Sequence, residues 1–267
     1  MEYKFPKKIP KLVREFLNET LSCVHSIVQD NLVGIYLYGS LAMGCFNSKS
    51  SDMDVIVVVR KRPSGAQRKE IIAYLREVCS KNGRLELSIV SENTLRNPKY
   101  PMIVDLHFEY WGEIFENKRD REILSNLYTA RIRGFRVWGE SIGNVFSEIP
   151  PWYHSRSVIE DLRCTRKHLH DSPESVGYDP ALHCVLGSCR ILAFVREEKV
   201  LSKLEGGQWG LANMPKQYHD LIKQALSYYR GKKEKHIWNH ERLEDFADYM
   251  NKIILNESNK RGRALQS

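Results

Sequence analysis

Five consecutive β-branched residues, Val55-Ile56-Val57-Val58-Val59, constrain the fold more than any other segment of the chain. An uninterrupted apolar run of this length predicts a buried β-strand. The β-rich segment 33–38 and the alternating pattern of 85–90 predict two further strands. Segments 11–30 and 66–80 have the apolar periodicity of amphipathic helices. The predicted fold of this region is α/β (α+β), a small mixed sheet covered by helices.

The sequence pattern changes at Pro150-Pro151, after which strand signals nearly vanish. We therefore predict an α/β domain over 1–150 and an α-helical bundle over 151–267. Two domains suit a chain of 267 residues, since domains average about 150 residues. The last residues, 260–267, are predicted to be a frayed tail. Helical periodicity in the second domain covers roughly 155–170, 180–196, 205–228 and 239–256.

Composition excludes several classes of protein. An apolar content of 42% and an aromatic content of 10% exclude intrinsic disorder. The N-terminus lacks the apolar core of a signal peptide, and no apolar run reaches the ~18 residues of a membrane span. We therefore expect a cytoplasmic protein without membrane contacts. The six cysteines form no Cys-x-x-Cys pair, which favours buried thiols over disulfides or zinc ligation. The net charge of +8 is spread along the chain, as is typical of a solvated surface.

Residues that could bind a ligand or a metal cluster where the first two predicted strands meet. Gly39 and Ser40 close the first strand, and Asp52 and Asp54 open the second after eleven intervening residues. Side chains two apart on a strand project from the same face, and two neighbouring carboxylates repel unless a cation lies between them. Magnesium suits such a pair, because it takes oxygen ligands from one or two carboxylates and from substrate phosphates. Glu86, on the third strand, adds a carboxylate that is predicted to converge on the same site.

Each piece of this pattern also has a plain structural interpretation. Gly-Ser after a strand is typical of a turn, and Asp-x-Asp in a loop is typical of an Asx-turn. The combination in this order, followed by a strand with an isolated glutamate, is specific. It favours a site where Gly39 lets backbone approach a phosphate and Ser40 donates a hydrogen bond to it.

The motif Leu-Tyr-Gly-Ser is followed, after eleven residues, by Asp-x-Asp. This combination resembles the signature of the DNA polymerase β-like nucleotidyltransferases. The wider stretches at 34–44 and 51–59 resemble the aminoglycoside adenylyltransferases that act on spectinomycin and streptomycin. Leu-Glu-Leu-Ser at 85–88 resembles that family's strand with the catalytic glutamate. Further blocks at 184–193, 200–209 and 225–231 extend the resemblance over most of the chain.

The resemblance implies a two-domain enzyme that binds nucleotide and acceptor between its domains. Asp52 and Asp54 would hold magnesium, and Glu86 would be the general base that deprotonates the attacking hydroxyl. The resemblance implies ATP contacts from two sets of residues, one in each domain: Gly39, Ser40 and Ser51, and Arg190, Lys203 and Tyr229. Tyr228 is an alternative to Tyr229 if the alignment with the family shifts by one residue.

The resemblance to the family is weaker at the residues that would bind the acceptor. The family uses a tryptophan and acidic residues just before the helix with the arginine, and the corresponding stretch here lacks a tryptophan. Tyr178, Asp179 and Glu174 are candidates in that stretch. Trp111 is a candidate aromatic face for a polyhydroxylated cation, with a buried core tryptophan as the alternative interpretation.

The predicted function is magnesium-dependent transfer of AMP from ATP to a hydroxyl of an aminoglycoside or aminocyclitol antibiotic, which would give resistance. The protein is expected to act as a monomer, without nucleic acid as a partner. Two alternatives stay open at this point. One is an antitoxin-like nucleotidyltransferase that adenylylates a protein or tRNA, which the charge of +8 fits better than a cationic drug. The other is a catalytically inactive module that binds a nucleotide or RNA.

Overall fold

The computed structural model describes residues 2–48, 51–80, 83–171, 179–231 and 238–264. The chain divides into two compact units, Met1–Ile149 and Pro150–Ser267. Within the described ranges, no helix combines the length and the apolar character that a bilayer span requires.

A six-stranded mixed sheet forms the framework of the first unit. Its strands are β1 (Leu32–Leu37), β2 (Met53–Val59), β3 (Leu85–Ser91), β4 (Met102–Glu109), β5 (Ile114–Asp120) and β6 (Phe135–Gly139). They lie in the order β5-β4-β3-β2-β1-β6. Only the β2–β3 pair is parallel among the five neighbouring pairs of described strands. The α/β prediction for this unit is confirmed, although three of the strands were not predicted.

The two faces of this sheet differ in character. Odd-numbered residues of β2 and β3, such as Val57 and Leu87, form one apolar core with Leu21 and Leu75. Because side chains alternate along a strand, the even-numbered residues project from the opposite face, which carries Glu86 and other polar groups. The helices of this unit are α1 (Lys11–Val28), α2 (Gly39–Ala42), α3 (Gly65–Ser80), α4 (Glu92–Arg96), α5 (Ile123–Arg133) and α6 (Ile142–Val145).

The described residues of the second unit form helices joined by short loops, with no strand among them, as the sequence predicts. The segment predicted as one helix over 205–228 is two helices, because Pro215 interrupts the backbone hydrogen bonding between them. The prediction of a frayed tail from residue 260 is wrong up to residue 264, where the last helix ends, and 265–267 lie outside the described residues. The helices are α7 (Pro151–Asp171), α8 (Pro180–Leu182), a π-helix (His183–Gly187), α9 (Ser188–Glu197), α10 (Lys203–Asn213), α11 (His219–Tyr229) and α12 (His240–Ala264).

Candidate active site

The turn after β1 brings Gly39 directly against Asp54. Gly39 has a φ of +60°, and a Cβ placed on it would lie 2.0 Å from Asp54 Oδ2. The neighbouring Tyr38 N–H donates to the backbone carbonyl of Asp54 at 3.1 Å. A glycine is therefore required here both by the left-handed backbone and by the carboxylate beside it. Gly39 and Ser40, which were predicted to close the first strand, instead begin the short helix α2.

Gly39→Ala should lower kcat/KM for AMP transfer by about 10²-fold, because the new methyl group displaces the Asp54 carboxylate by an ångström or more. Gly44→Ala is the matched control. Gly44 also has a positive φ, +71°, but no atom lies within 4 Å of its would-be Cβ. Steady-state kinetics of the two variants separate displacement of Asp54 from backbone strain. Equal losses in both variants would contradict the assignment.

Ser40 and Ser51 differ in how their hydroxyls are used. Ser40 Oγ is buried and has no hydrogen-bond partner among the described residues. Leaving such a group unsatisfied costs about 1–3 kcal/mol, so a ligand atom at this position would be stabilised. Ser51 is buried, and its Oγ accepts from the Asn47 N–H at 3.0 Å. Ser51 thus closes the loop before β2, and its contact with a phosphate stays a prediction.

The two predicted metal ligands have different surroundings. Asp54 is the second residue of β2, whereas Asp52 precedes the strand. Arg84 pairs with Asp52, its Nη2 and Nε lying 3.0 and 3.1 Å from Asp52 Oδ1. The Arg84 guanidinium also lies 5.3 Å from the ring centroid of Tyr110. This cation, which sequence reasoning missed, offsets the charge of one of the two carboxylates.

Glu86 lies beside Asp54 on the polar face of the sheet. The parallel register of β2 and β3 pairs these two residues directly, as the spacing of the strands predicts. The Tyr38 hydroxyl donates to Glu86 Oε1 at 3.2 Å. Burial, helped by the negative charges of Glu109 and Asp52, raises the pKa of Glu86 to about 7. A carboxylate with that pKa is suited to accept a proton near neutral pH.

A buried polar chain on β3 and β4 extends this site. The antiparallel register pairs Ser88 with His107 and Glu86 with Glu109. Ser88 Oγ lies 2.9 Å from His107 Nδ1, and His107 Nε2 lies 2.9 Å from Glu109 Oε1. Burial lowers the pKa of His107, but the hydrogen bond to Glu109 and the nearby carboxylates raise it more. Sequence reasoning missed these residues because β4 was not predicted.

The second unit brings two of its predicted ATP contacts together. Arg190 lies on α9 and Lys203 begins α10, and a Cβ on Gly206 would lie 2.8 Å from the Arg190 Cβ, so these helices pack closely. Burial alone would raise the pKa of Asp161, but His183, Arg190 and Lys203 lower it to about 2. Two cations thus surround one carboxylate of the helical unit.

Tyr229 is more deeply buried than a residue that contacts ATP is expected to be. It is 7% exposed and belongs to the apolar core of the helical unit. Tyr228 is partly buried, with its ring centroid 6.3 Å from that of Trp238. The predicted role of Tyr229, and the alternative at Tyr228, both stay predictions.

The candidate acceptor residues also differ in availability. Trp111 is 53% exposed and packs edge-on against Tyr110, so its interpretation as a core tryptophan is wrong. Asp179 Oδ1 accepts from the Leu182 N–H at 2.9 Å and Oδ2 accepts from Trp238 Nε1 at 3.3 Å. Its carboxylate is therefore engaged in capping α8. Tyr178 and Glu174 lie outside the described residues.

Comparisons with known proteins agree with this architecture. Residues 17–127 match the family described as "Nucleotidyltransferase domain", and residues 144–253 match "Aminoglycoside adenylyltransferase, C-terminal domain". The family resemblance predicted from the motifs is thereby confirmed.

Three similar proteins span most of the chain. An aminoglycoside (3'') (9) adenylyltransferase of Klebsiella pneumoniae is 24% identical over 88% of this chain and 92% of its own length. A spectinomycin 9-adenylyltransferase of Staphylococcus aureus is 24% identical over 80% of this chain and 84% of its own length. A spectinomycin adenyltransferase of Enterococcus faecalis, crystallised with ATP and spectinomycin, has a TM-score of 0.76 at 20% identity. That alignment covers 90% of this chain and 98% of the solved one, so the fold is shared.

Proposed function

We propose that this nucleotidyltransferase transfers AMP from ATP to a hydroxyl of spectinomycin, streptomycin or a related aminocyclitol. The proposal is supported by the match of residues 17–127 to a nucleotidyltransferase domain and of residues 144–253 to the C-terminal domain of aminoglycoside adenylyltransferases. The observation that carries the proposal is the contact of Asp54 with the Gly39 turn, next to Glu86 on the neighbouring strand. A carboxylate for a metal, a turn open to a phosphate and a carboxylate base therefore lie side by side.

The residues at this site fit a magnesium ion and a triphosphate. Asp52 and Asp54 supply carboxylate oxygens, which magnesium prefers, and the buried Ser40 Oγ lacks a partner among the described residues. When bound by these aspartates, magnesium would neutralise charge on the phosphates of ATP.

Glu86 performs the proton transfer in the proposed reaction. Its carboxylate accepts the proton of the acceptor hydroxyl, and the oxygen forms a bond to the α-phosphorus of ATP. The bond from that phosphorus to the bridging oxygen breaks, and pyrophosphate leaves with the electron pair. The pKa of about 7 keeps a large share of Glu86 ionised at neutral pH, as this step requires.

The acceptor class rests on two observations. The relatives that match most of the chain carry names of aminoglycoside and spectinomycin adenylyltransferases. Trp111 offers a half-exposed aromatic face in the unit that contains Glu86, suited to a cationic sugar-like molecule. Adenylylation of the drug would give the host resistance to it.

The proposal is tested by measuring pyrophosphate release with ATP, magnesium and a panel of aminocyclitols and aminoglycosides. We expect release to depend on spectinomycin or streptomycin and to stop when magnesium is chelated. Release at the ATP-only background for every drug would contradict the proposed acceptor class and favour a protein or tRNA acceptor.

Arg190→Ala and Lys203→Ala should each weaken the binding of Mg-ATP by roughly 10- to 100-fold. The reason is the loss of a charge-assisted contact worth about 1.5–3 kcal/mol.

If ATP must bind before the acceptor site is complete, spectinomycin should bind weakly alone and tightly with an unreactive ATP analogue. Calorimetric titration of nucleotide and drug measures both effects.

Lys223→Ala is the control for these two variants. Lys223 belongs to the same unit, is 64% exposed at its side chain and makes a 3.8 Å ion pair with Asp220 on its own helix. Its removal should leave the affinity for ATP unchanged. If Arg190→Ala and Lys203→Ala also leave that affinity unchanged, the helical unit does not bind the triphosphate.

A further inference from the structure

We propose that Glu86, His107 and Glu109 bind a borderline divalent ion of the Zn²⁺ type, at a site distinct from the proposed magnesium ligands Asp52 and Asp54. Each of the three residues offers one ligand atom, and these atoms lie within 4.8 Å of one another. Among the described residues, this is the one group of three or more His, Cys, Asp or Glu side chains whose ligand atoms lie close enough together to hold a metal ion.

The donor set selects the class of ion. An imidazole nitrogen with two carboxylates suits zinc or cobalt, whereas magnesium prefers oxygen donors alone. Ligand atoms at 2.0–2.2 Å around a tetrahedral zinc lie about 3.4 Å apart. His107 Nε2 and Glu109 Oε1 are already 2.9 Å apart. Because all three ligand atoms lie within 4.8 Å of one another, a shift of at most about 1.4 Å brings Glu86 into the same arrangement. Three protein ligands leave the fourth position to water.

The neighbours of His107 orient it for ligation. Its Nδ1 lies 2.9 Å from the buried Ser88 hydroxyl. When Nδ1–H donates to that hydroxyl, Nε2 carries the lone pair that a metal needs. A hydrogen-bonded second nitrogen of this kind is general among metal-binding histidines. Phe115 stacks on the imidazole ring with centroids 4.6 Å apart, which fixes the plane of the ring.

Glu109 provides an independent indication of a cationic ligand. Its Oε2 is buried, and it has no hydrogen-bond partner among the described residues. The orphaned oxygen belongs to the same carboxylate whose Oε1 contacts His107. An unsatisfied buried charge of this kind is costly, and coordination to a bound ion would remove that cost.

A cavity gives the ion a route to His107 and Glu109. It has a volume of ≈ 110 Å³, and its lining includes His107, Glu109, Glu113, Asp120 and Glu122. Four acidic side chains around one small cavity create a negative potential that attracts cations. The cluster at the sheet face and the acidic cavity thus describe one continuous cation site.

The consequence for activity rests on the proposed function, in which Glu86 is the base. An ion bound to the Glu86 carboxylate occupies the electron pair that would accept the proton of the acceptor hydroxyl. Zn²⁺ should therefore inhibit AMP transfer even when Mg-ATP is saturating.

The binding of Zn²⁺ is tested by calorimetric titration of the nucleotide-free full chain. His107→Gln should weaken the binding of one Zn²⁺ by at least about 10-fold, as loss of a ligand requires. Glu109→Gln, which keeps the shape of the side chain, should weaken it similarly. His25→Gln is the control, since His25 lies on α1 and contacts Tyr3 instead of the cluster.

Wild-type stoichiometry and affinity in His107→Gln and Glu109→Gln would overturn the proposal. Co²⁺ in place of Zn²⁺ checks the donor atoms, because a thiolate ligand gives an intense near-ultraviolet band and a nitrogen–oxygen site does not. A thiolate band would place the ion on a cysteine and also overturn the proposal. Neither titration needs ATP or a drug, so its outcome is independent of the proposed adenylylation.

Discussion

Asp54→Asn should reduce AMP transfer by at least about 10³-fold, because it removes a charge that the proposed metal and triphosphate require in the transition state. The amide has the shape of the carboxylate and fits beside Gly39, so the fold should be retained. Steady-state rates with saturating magnesium, together with the thermal unfolding midpoint, measure both expectations.

The control for this variant is Asp30→Asn, an exposed aspartate in the turn before β1. It should retain wild-type turnover. Wild-type protein should bind ATP more tightly with magnesium than with a chelator, and Asp54→Asn should lose that difference. Near wild-type turnover of Asp54→Asn would show that this carboxylate holds no catalytic metal.

Glu86→Gln should bind Mg-ATP normally but transfer AMP about 10²- to 10⁴-fold more slowly, as expected for the loss of a general base. Single-turnover rates measure the chemical step, and calorimetry measures nucleotide affinity separately. Loss of Mg-ATP binding in this variant would instead place Glu86 among the metal ligands.

The pH dependence provides a second signature of Glu86. The base must be ionised, so the wild-type rate should rise with pH through about 7, the pKa to which burial raises this carboxyl. Glu86→Gln should lack that rise. A wild-type rate that is independent of pH from about 6 to 8 would contradict a general base with this pKa.

The pH dependence of the unfolding midpoint shows whether Glu86→Gln is correctly folded. The folded-state pKa of Glu86 lies above its ordinary value of 4.5, at about 7, so the folded protein holds a proton that the unfolded chain releases in this window. Stability is therefore lost as pH rises from about 4.5 to about 7. The neutral amide removes this loss, and the unfolding midpoint of Glu86→Gln at about pH 8 should equal or exceed that of the wild type.

The sequence predicts the three strands whose residues are mostly buried. β1 and β2 follow from their apolar runs, and β3 follows from its alternation of apolar and polar residues. β5 was missed because it is an exposed edge strand of mostly charged residues, Ile-Phe-Glu-Asn-Lys-Arg-Asp. β4 carried a usable signal, since Val104, Leu106 and Phe108 alternate with polar residues.

The candidate site was predictable where local spacing sets the geometry. Gly39, Asp54 and Glu86 meet because the turn and the register of two adjacent strands bring them together. The pair of Arg84 with Asp52 was not predictable, because it depends on the side-chain conformation of a residue 32 positions away. The chain of Ser88, His107 and Glu109 was missed because two of its residues lie on β4, a strand that the sequence analysis did not predict.

Mass spectrometry of the drug tests the central claim most directly. After incubation of spectinomycin or streptomycin with the protein, ATP and magnesium, we expect one adenylyl group on the drug and an equal amount of pyrophosphate. Asp54→Asn under the same conditions should leave the drug unmodified. Drugs recovered unmodified from the wild-type reaction, with ATP intact, would contradict the account.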